Sequence, residues 1–227
     1  LPGTSSCAVT EAVEMTRHAV QAGVKGVVLL PPFYYTAFSD ESLFRFYASI
    51  IEKVADDRLQ VILYHIPMLT GVPISHDLIA RLINAFPDTV VGIKDSDGKI
   101  ENMHEIATRF PGFAVLAGAD PLLLPVLQGG GAGCITATSN LVARELRFVF
   151  DHWQDPDRAA EVRAAQDTIV AWRNLTNSYV QLPTVKTMLA RRRGDMGWLN
   201  IHPPFSPLSA EEAEKVWAVM DQLEGIA

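Results

Sequence analysis

The chain has 227 residues, 48% of them hydrophobic and 20% charged, and a net charge of −7. Such a length buries a core without a disulfide framework or a metal, and the composition excludes a disordered, collagen-like or low-complexity chain. The acidic balance argues against a nucleic acid or an anionic membrane surface as partner, and no apolar run approaches the roughly 18 residues of a membrane span.

Apolar positions recur at helical spacing over 6–22, with Ser5 or Ser6 as candidate cap and Gly23 as terminator. The β-branched run 24–30, closed by Pro31 and Pro32, predicts a buried strand. A helix over 40–55 follows, then a strand over 60–67 and a helix over 75–85. The alternation continues with a strand over 90–95, a helix over 100–110, a strand over 113–117, a short helix over 121–127 and a strand over 133–137. Beyond Asn140 the pattern changes to helices alone, over 141–153, 157–176, 183–193 and 210–224. Ser209 and Glu212 form a capping box at the last of these.

Apolar runs alternating with amphipathic helices predict βα units and a parallel sheet. A doubly wound open sheet and a (β/α)₈ barrel both satisfy that pattern. The open sheet calls for a nucleotide fingerprint at its first βα turn, and none is present. The glycine-rich run 129–133 leads into a strand and reads as a tight turn using unusual dihedrals. The barrel places 1–153 in its βα units, holding strands three to eight, and 154–227 in a C-terminal helical extension. Leu1, Pro2 and Gly3 then stand as the tail of the third strand.

In a barrel the reactive groups lie at the C-terminal strand ends. Lys94 ends an otherwise apolar strand. Either it pairs with Asp95 or reaches solvent, or desolvation favours its neutral amine, a nucleophile able to form a Schiff base. Tyr64 ends the neighbouring predicted strand, where its hydroxyl either makes one structural hydrogen bond or relays a proton. Tyr34 and Tyr35 sit in an aromatic cluster open to the same two readings. Six histidines are scattered with no i, i+4 pair, so neither a metal nor another cofactor is expected. Cys7 and Cys134 lack a CxxC partner, read as small core residues, and suit a reducing, cytoplasmic compartment. There is no GxSxG elbow. Arg191, Arg192 and Arg193 read as a solvated helix end.

The stretch Tyr64-His65-Ile66-Pro67-Met68-Leu69-Thr70-Gly71, followed by Gly92-Ile93-Lys94-Asp95-Ser96, resembles the dihydrodipicolinate synthase / N-acetylneuraminate lyase family. Pro32 to Tyr35, Gly118-Ala119-Asp120, 133–140 and 203–209 match it in the same order, so the likeness spans essentially the whole chain. It implies a (β/α)₈ barrel and a class I lyase or synthase acting on a 2-oxo acid such as pyruvate. Lys94 is implied as the Schiff-base lysine, Tyr64 as the proton relay, and Tyr34 as a tyrosine reaching a neighbouring subunit's site. Ser96, Gly118, Asp120 and Ile135 are implied to line the substrate pocket, Ile135 through its backbone. A homotetramer built as a dimer of dimers is implied as well. The family's Gly-[Thr/Ser]-Thr-Gly-Glu motif, which holds the 2-oxo acid carboxylate, is absent from these residues. Gly3 to Ser6 matches the stretch after the third strand instead. With no initial Met, the chain is expected to begin part-way into a longer protein.

Leu69 stands where lysine-biosynthetic synthases carry arginine, and Pro121 and Ala137 replace the glutamate and serine of sialate lyases. The expected reaction is therefore aldol cleavage or condensation of a 2-oxo-3-deoxy acid. The alternatives are a 2-oxo-3-deoxy sugar acid dehydratase, a 4-hydroxy-tetrahydrodipicolinate synthase and a non-catalytic 2-oxo acid binder.

Overall fold

Short β-branched runs between amphipathic helices have one economical solution. The strands pair side by side, and each helix folds back to bury its apolar stripe on them. A computed structural model describes residues 1–225. The chain divides into two units, one of Leu1–Gly118 with Pro125–Cys134, the other of Ala119–Leu124 with Ile135–Ala227.

The first unit carries the sheet. Its strands are β1 (Val27–Leu29), β2 (Val61–His65), β3 (Val90–Asp95), β4 (Ala114–Ala117) and β5 (Gly133–Cys134). They are all parallel and stand in sequential order. A doubly wound sheet reverses direction at a switch point, and this order has none. It is the order of a barrel. Gly3 bridges Val28 in parallel on the free side of β1, with Val28 N–H donating to Pro2 O at 2.8 Å. The N-terminal tail thus runs parallel to β1 on that side.

Around the strands run α1 (Val9–Gln21), α2 (Asp40–Val54), the single turn α3 (Pro67–Thr70), α4 (His76–Ala85), α5 (Ile100–Arg109) and α6 (Leu123–Gln128), whose first two residues belong to the second unit. Ser39 and Ser75 cap α2 and α4 through their side-chain oxygens. The expected serine cap of α1 is not made. Ser5 Oγ instead accepts from Leu30 N–H, and Ser6 Oγ accepts from Ala8 N–H, while Ala8 takes the cap position. β1 and β5 are shorter than their apolar runs; beyond β1 the Leu30 N–H is taken by Ser5 Oγ, and Pro31 offers no N–H to continue a ladder. The 129–133 run is the tight turn anticipated: Gly130 and Gly133 both have positive φ, 85° and 139°.

One irregularity decides which side chains share a face. Val61 pairs with Val90, but Ile62 pairs with Gly92, so Val91 is an extra residue in β3. Beyond this bulge Leu63, His65, Ile93, Asp95, Val115 and Ala117 lie on one face, all buried. Tyr64, Lys94, Ala114 and Leu116 share the other, each half-buried. Gly92 is required there. A Cβ on it would stand 2.5 Å from Ala114 O and 2.9 Å from Ile62 Cδ1.

The second unit is helical, with α7 (Ala143–His152), α8 (Ala159–Thr176), α9 (Gln181–Arg193) and α10 (Ala210–Leu223). The Ser209/Glu212 capping box forms as read from the sequence. The arginine run is not simply solvated. Arg191 pairs with Asp221 and Arg192 with Glu224, tying α9 to α10, while Arg192 also lies 4.6 Å over the Trp172 ring.

A Gly92→Ala substitution forces the β3–β4 ladder apart and is expected to cost about 1–3 kcal/mol of stability. Urea unfolding measures this directly; an unchanged midpoint would mean that the close approach is not a constraint.

Candidate active site

The parallel β2–β3 register sets Tyr64 opposite Lys94. Neighbouring strands lie about 4.8 Å apart, so both side chains rise from the same rung. Lys94 Nζ donates to Tyr64 Oη at 3.0 Å and sits 4.1 Å from the centroid of the tyrosine ring. Both contacts hold the Lys94 side chain against Tyr64. The hydroxyl is within direct proton-transfer reach of the nitrogen. Adjacent on the same rung, Lys94 faces Leu116 of β4.

The next rung brings Ser96 and Gly118 together. Ser96 N–H donates to His65 O and Gly118 N–H to Asp95 O, each at 2.7 Å, carrying the ladder past the strand ends. A Cβ on Gly118 would fall 1.8 Å from Ser96 Oγ. Glycine is therefore what allows Ser96 its place. Tyr34 lies in the loop after β1, 79% exposed, in edge contact with Tyr35 at 5.1 Å. The loop places it on the surface rather than on the Tyr64–Lys94 rung.

Asp120 and Ile135 belong to the second unit. Asp120 is fully buried. Its carboxylate accepts from the Thr136 hydroxyl and, at 3.4 Å, from Arg173 Nη1, and Gln166 donates to its backbone oxygen. Ile135 is half-buried and precedes that threonine. Thr136, Gln166 and Arg173 escape a strand-end reading, because two of them sit on α8, far along the chain from Asp120.

On the opposite face of β2 and β3, His65 stands across from Asp95. The His65 Nδ1 accepts from Ile74 N–H at 3.1 Å. Burial holds this imidazole below its ordinary value, more strongly than the nearby Asp95 and Asp97 raise it. Among the described residues no group of three or more His, Cys, Asp or Glu is placed to hold a metal ion. None of the helices described is long and apolar enough to cross a membrane.

A sequential parallel sheet bearing a lysine–tyrosine pair on one strand-end rung belongs to the (β/α)₈-barrel class. The chain is a member of the Dihydrodipicolinate synthetase family, whose profile matches residues 1–223 and whose members are lyases. It is 30% identical over 223 residues to an uncharacterized DapA-like lyase of Chloroflexus aurantiacus, covering 98% of this chain and 73% of that one. The solved 4-hydroxy-tetrahydrodipicolinate synthase of Methylacidiphilum fumariolicum SolV superposes with a TM-score of 0.85 at 30% identity, over 99% of this chain and 72% of its own. YagE of Escherichia coli K12, a putative 2-dehydro-3-deoxy-D-gluconate aldolase solved in complex with pyruvate, superposes with a TM-score of 0.83 at 25% identity, over 98% of this chain and 74% of its own.

The lowered His65 value gives a signed expectation. An unfolded histidine takes up its proton near about pH 6.5, and the folded one only at lower pH. The stability contributed by neutral His65 is thus present above about pH 6.5 and lost as pH falls below it. His65→Asn keeps an acceptor for the Ile74 amide and should flatten the decline in urea midpoint between about pH 7 and 5. An unaltered pH slope would assign that decline to other groups.

Proposed function

We propose that the protein is a Schiff-base lyase that cleaves or forms a carbon–carbon bond of a 2-oxo-3-deoxy acid, with pyruvate as the 2-oxo acid product or substrate. The observation that carries this reading is the Lys94 Nζ to Tyr64 Oη contact of 3.0 Å on one rung of a parallel sheet. The neutral Lys94 amine attacks the 2-oxo carbon. Tyr64 returns a proton to the resulting hydroxyl, which leaves as water, and a protonated imine remains. The Tyr64 phenolate then takes the proton of the C4 hydroxyl, and the protonated imine accepts the electron pair released when the bond between C3 and C4 breaks. The aldehyde departs, the enamine takes a proton at C3, and water hydrolyses the imine to free pyruvate and the lysine. Condensation runs the same steps backwards.

Ser96 and Gly118 line the pocket in this reading. Within the second unit Asp120 holds Thr136 in place, next to Ile135, whose backbone is the part proposed to act. The exposure of Tyr34 suits a residue that reaches the site of a second subunit, in a homotetramer of tight dimers in the cytoplasm.

A dihydrodipicolinate-forming activity finds support in the name of the Methylacidiphilum relative. Leu69 speaks against it. This residue follows Tyr64 by one turn of chain, is 77% exposed beside the equally apolar Met68, and offers nothing to a second carboxylate. The named aldolase YagE supports cleavage of a sugar-acid substrate instead.

Borohydride reduction in the presence of pyruvate, followed by peptide mass spectrometry, tests the reading. A reduced pyruvyl adduct on Lys94 is expected; an adduct on another lysine, or none, would refute it. Tyr64→Phe should slow pyruvate release from a panel of 2-oxo-3-deoxy acids by about 10²–10⁴-fold. A rate within a few-fold of the parent protein would remove Tyr64 from the proton path.

A further inference from the structure

The end of β3 is held from behind by polar groups that the Schiff-base chemistry does not use. Asp95 is fully buried on the helix-covered face, next in sequence to Lys94 on the other. Its Oδ2 accepts from Asn102 Nδ2 of α5 at 2.7 Å, and its Oδ1 from Asp97 N–H at 2.8 Å. Asn102 Oδ1 lies 2.9 Å from His76 Nε2 of α4, and His76 Nδ1 lies 3.3 Å from Glu105 Oε1. The Asp95 backbone oxygen accepts from Gly118 N–H at 2.7 Å. One residue is therefore fixed by two helices, by the loop that follows it and by β4.

Stability alone does not explain a carboxylate in this place. Buried charged groups are often replaced by apolar residues of similar volume at no loss, and every neighbouring outward position of the sheet except His65 is apolar. What the network does is fix the Cα of the residue beside Lys94. The lysine stem has four rotatable bonds, so its nitrogen is placed by its own Cα below and by Tyr64 above. A displacement of about 1 Å in such a pair can cost about 10²-fold in rate.

We propose that Asp95 and Asn102 are positioning residues for Lys94, acting through β3 to hold the amine against Tyr64. The inference rests on the Schiff-base reading of that pair. Exchanging the two groups provides the test, because it preserves each hydrogen bond. With Asp95→Asn and Asn102→Asp together, an amide donates to a carboxylate in the reverse direction, and both the Asp97 amide and His76 keep an acceptor.

The measurement is the rate of borohydride-trapped imine formation with pyruvate, in the protein and in each variant, alongside the melting temperature. Each single substitution should lower the rate at saturating pyruvate by about 10–100-fold, with the half-saturating pyruvate concentration little changed. The double substitution should restore most of the rate. His76→Phe, at the outer end of the network, should give a smaller loss with the melting temperature kept, and serves if the Asp95 variants do not fold. Single variants or His76→Phe that trap at the parent rate would overturn the proposal. So would a double variant as slow as the singles at the parent melting temperature. A parent protein that forms no adduct would overturn the Schiff-base reading itself, and this inference with it.

Discussion

The extra residue at Val91 governs the site. Side chains alternate along a strand, so a shift of one residue sends every later side chain to the other face. Val61 and Val90 pair below the bulge, and Ile62 and Gly92 above it. Were Val91 paired in a regular ladder instead of bulged out, Lys94 would stand opposite His65 and share its buried face. With the bulge, Lys94 meets Tyr64, and Asp95 takes the buried side. Gly92 belongs to the same device, since its missing Cβ leaves room for Ala114 O and the Ile62 side chain. Bulges recur beside reactive groups because they re-aim a side chain. This one sets Lys94 beside Tyr64 on the half-buried face.

The two faces of the β2–β3 rung then divide the labour. The half-buried face holds an amine, a phenol and, one rung on, Ser96 beside Gly118. The buried face holds His65 and Asp95, each satisfied by hydrogen bonds from its surroundings. An unsatisfied polar group there costs about 1–3 kcal/mol, so the outer network has to be complete for the sheet to tolerate it. The second unit solves a like problem around Asp120, whose buried carboxylate is shared between Thr136 and Arg173.

Much of this was legible in the sequence. The alternation of apolar runs and amphipathic helices gives the parallel sheet, its strand count and the helical C-terminal stretch. Proline and glycine punctuation gives most boundaries, and the Ser209/Glu212 capping box is a local signal that the structure keeps. Lys94 and Tyr64 stood out because a lysine and a tyrosine end apolar strands. The bulge did not stand out, since Val90, Val91 and Gly92 read as three ordinary strand residues. Nor did Asn102 and His76: a polar residue on a helix carries no sign of which buried group it will meet. The serines near α1 escape a local reading for a similar reason. Their oxygens find partners in the loop and at Leu30, a contact set by tertiary structure and invisible to a local rule. The arginine run was read by its charge, whereas Asp221 and Glu224 lie about a full helix later in sequence and meet it only in the fold.

The proposed chemistry rests on one claim, that Lys94 is the nucleophile and Tyr64 its proton partner. A crystal structure of the protein soaked with pyruvate tests it most directly. Continuous density from Lys94 Nζ to the pyruvate C2 carbon is expected, with Tyr64 Oη within hydrogen-bond reach of that linkage. Pyruvate bound non-covalently with Lys94 turned away, or joined to another residue, would contradict it.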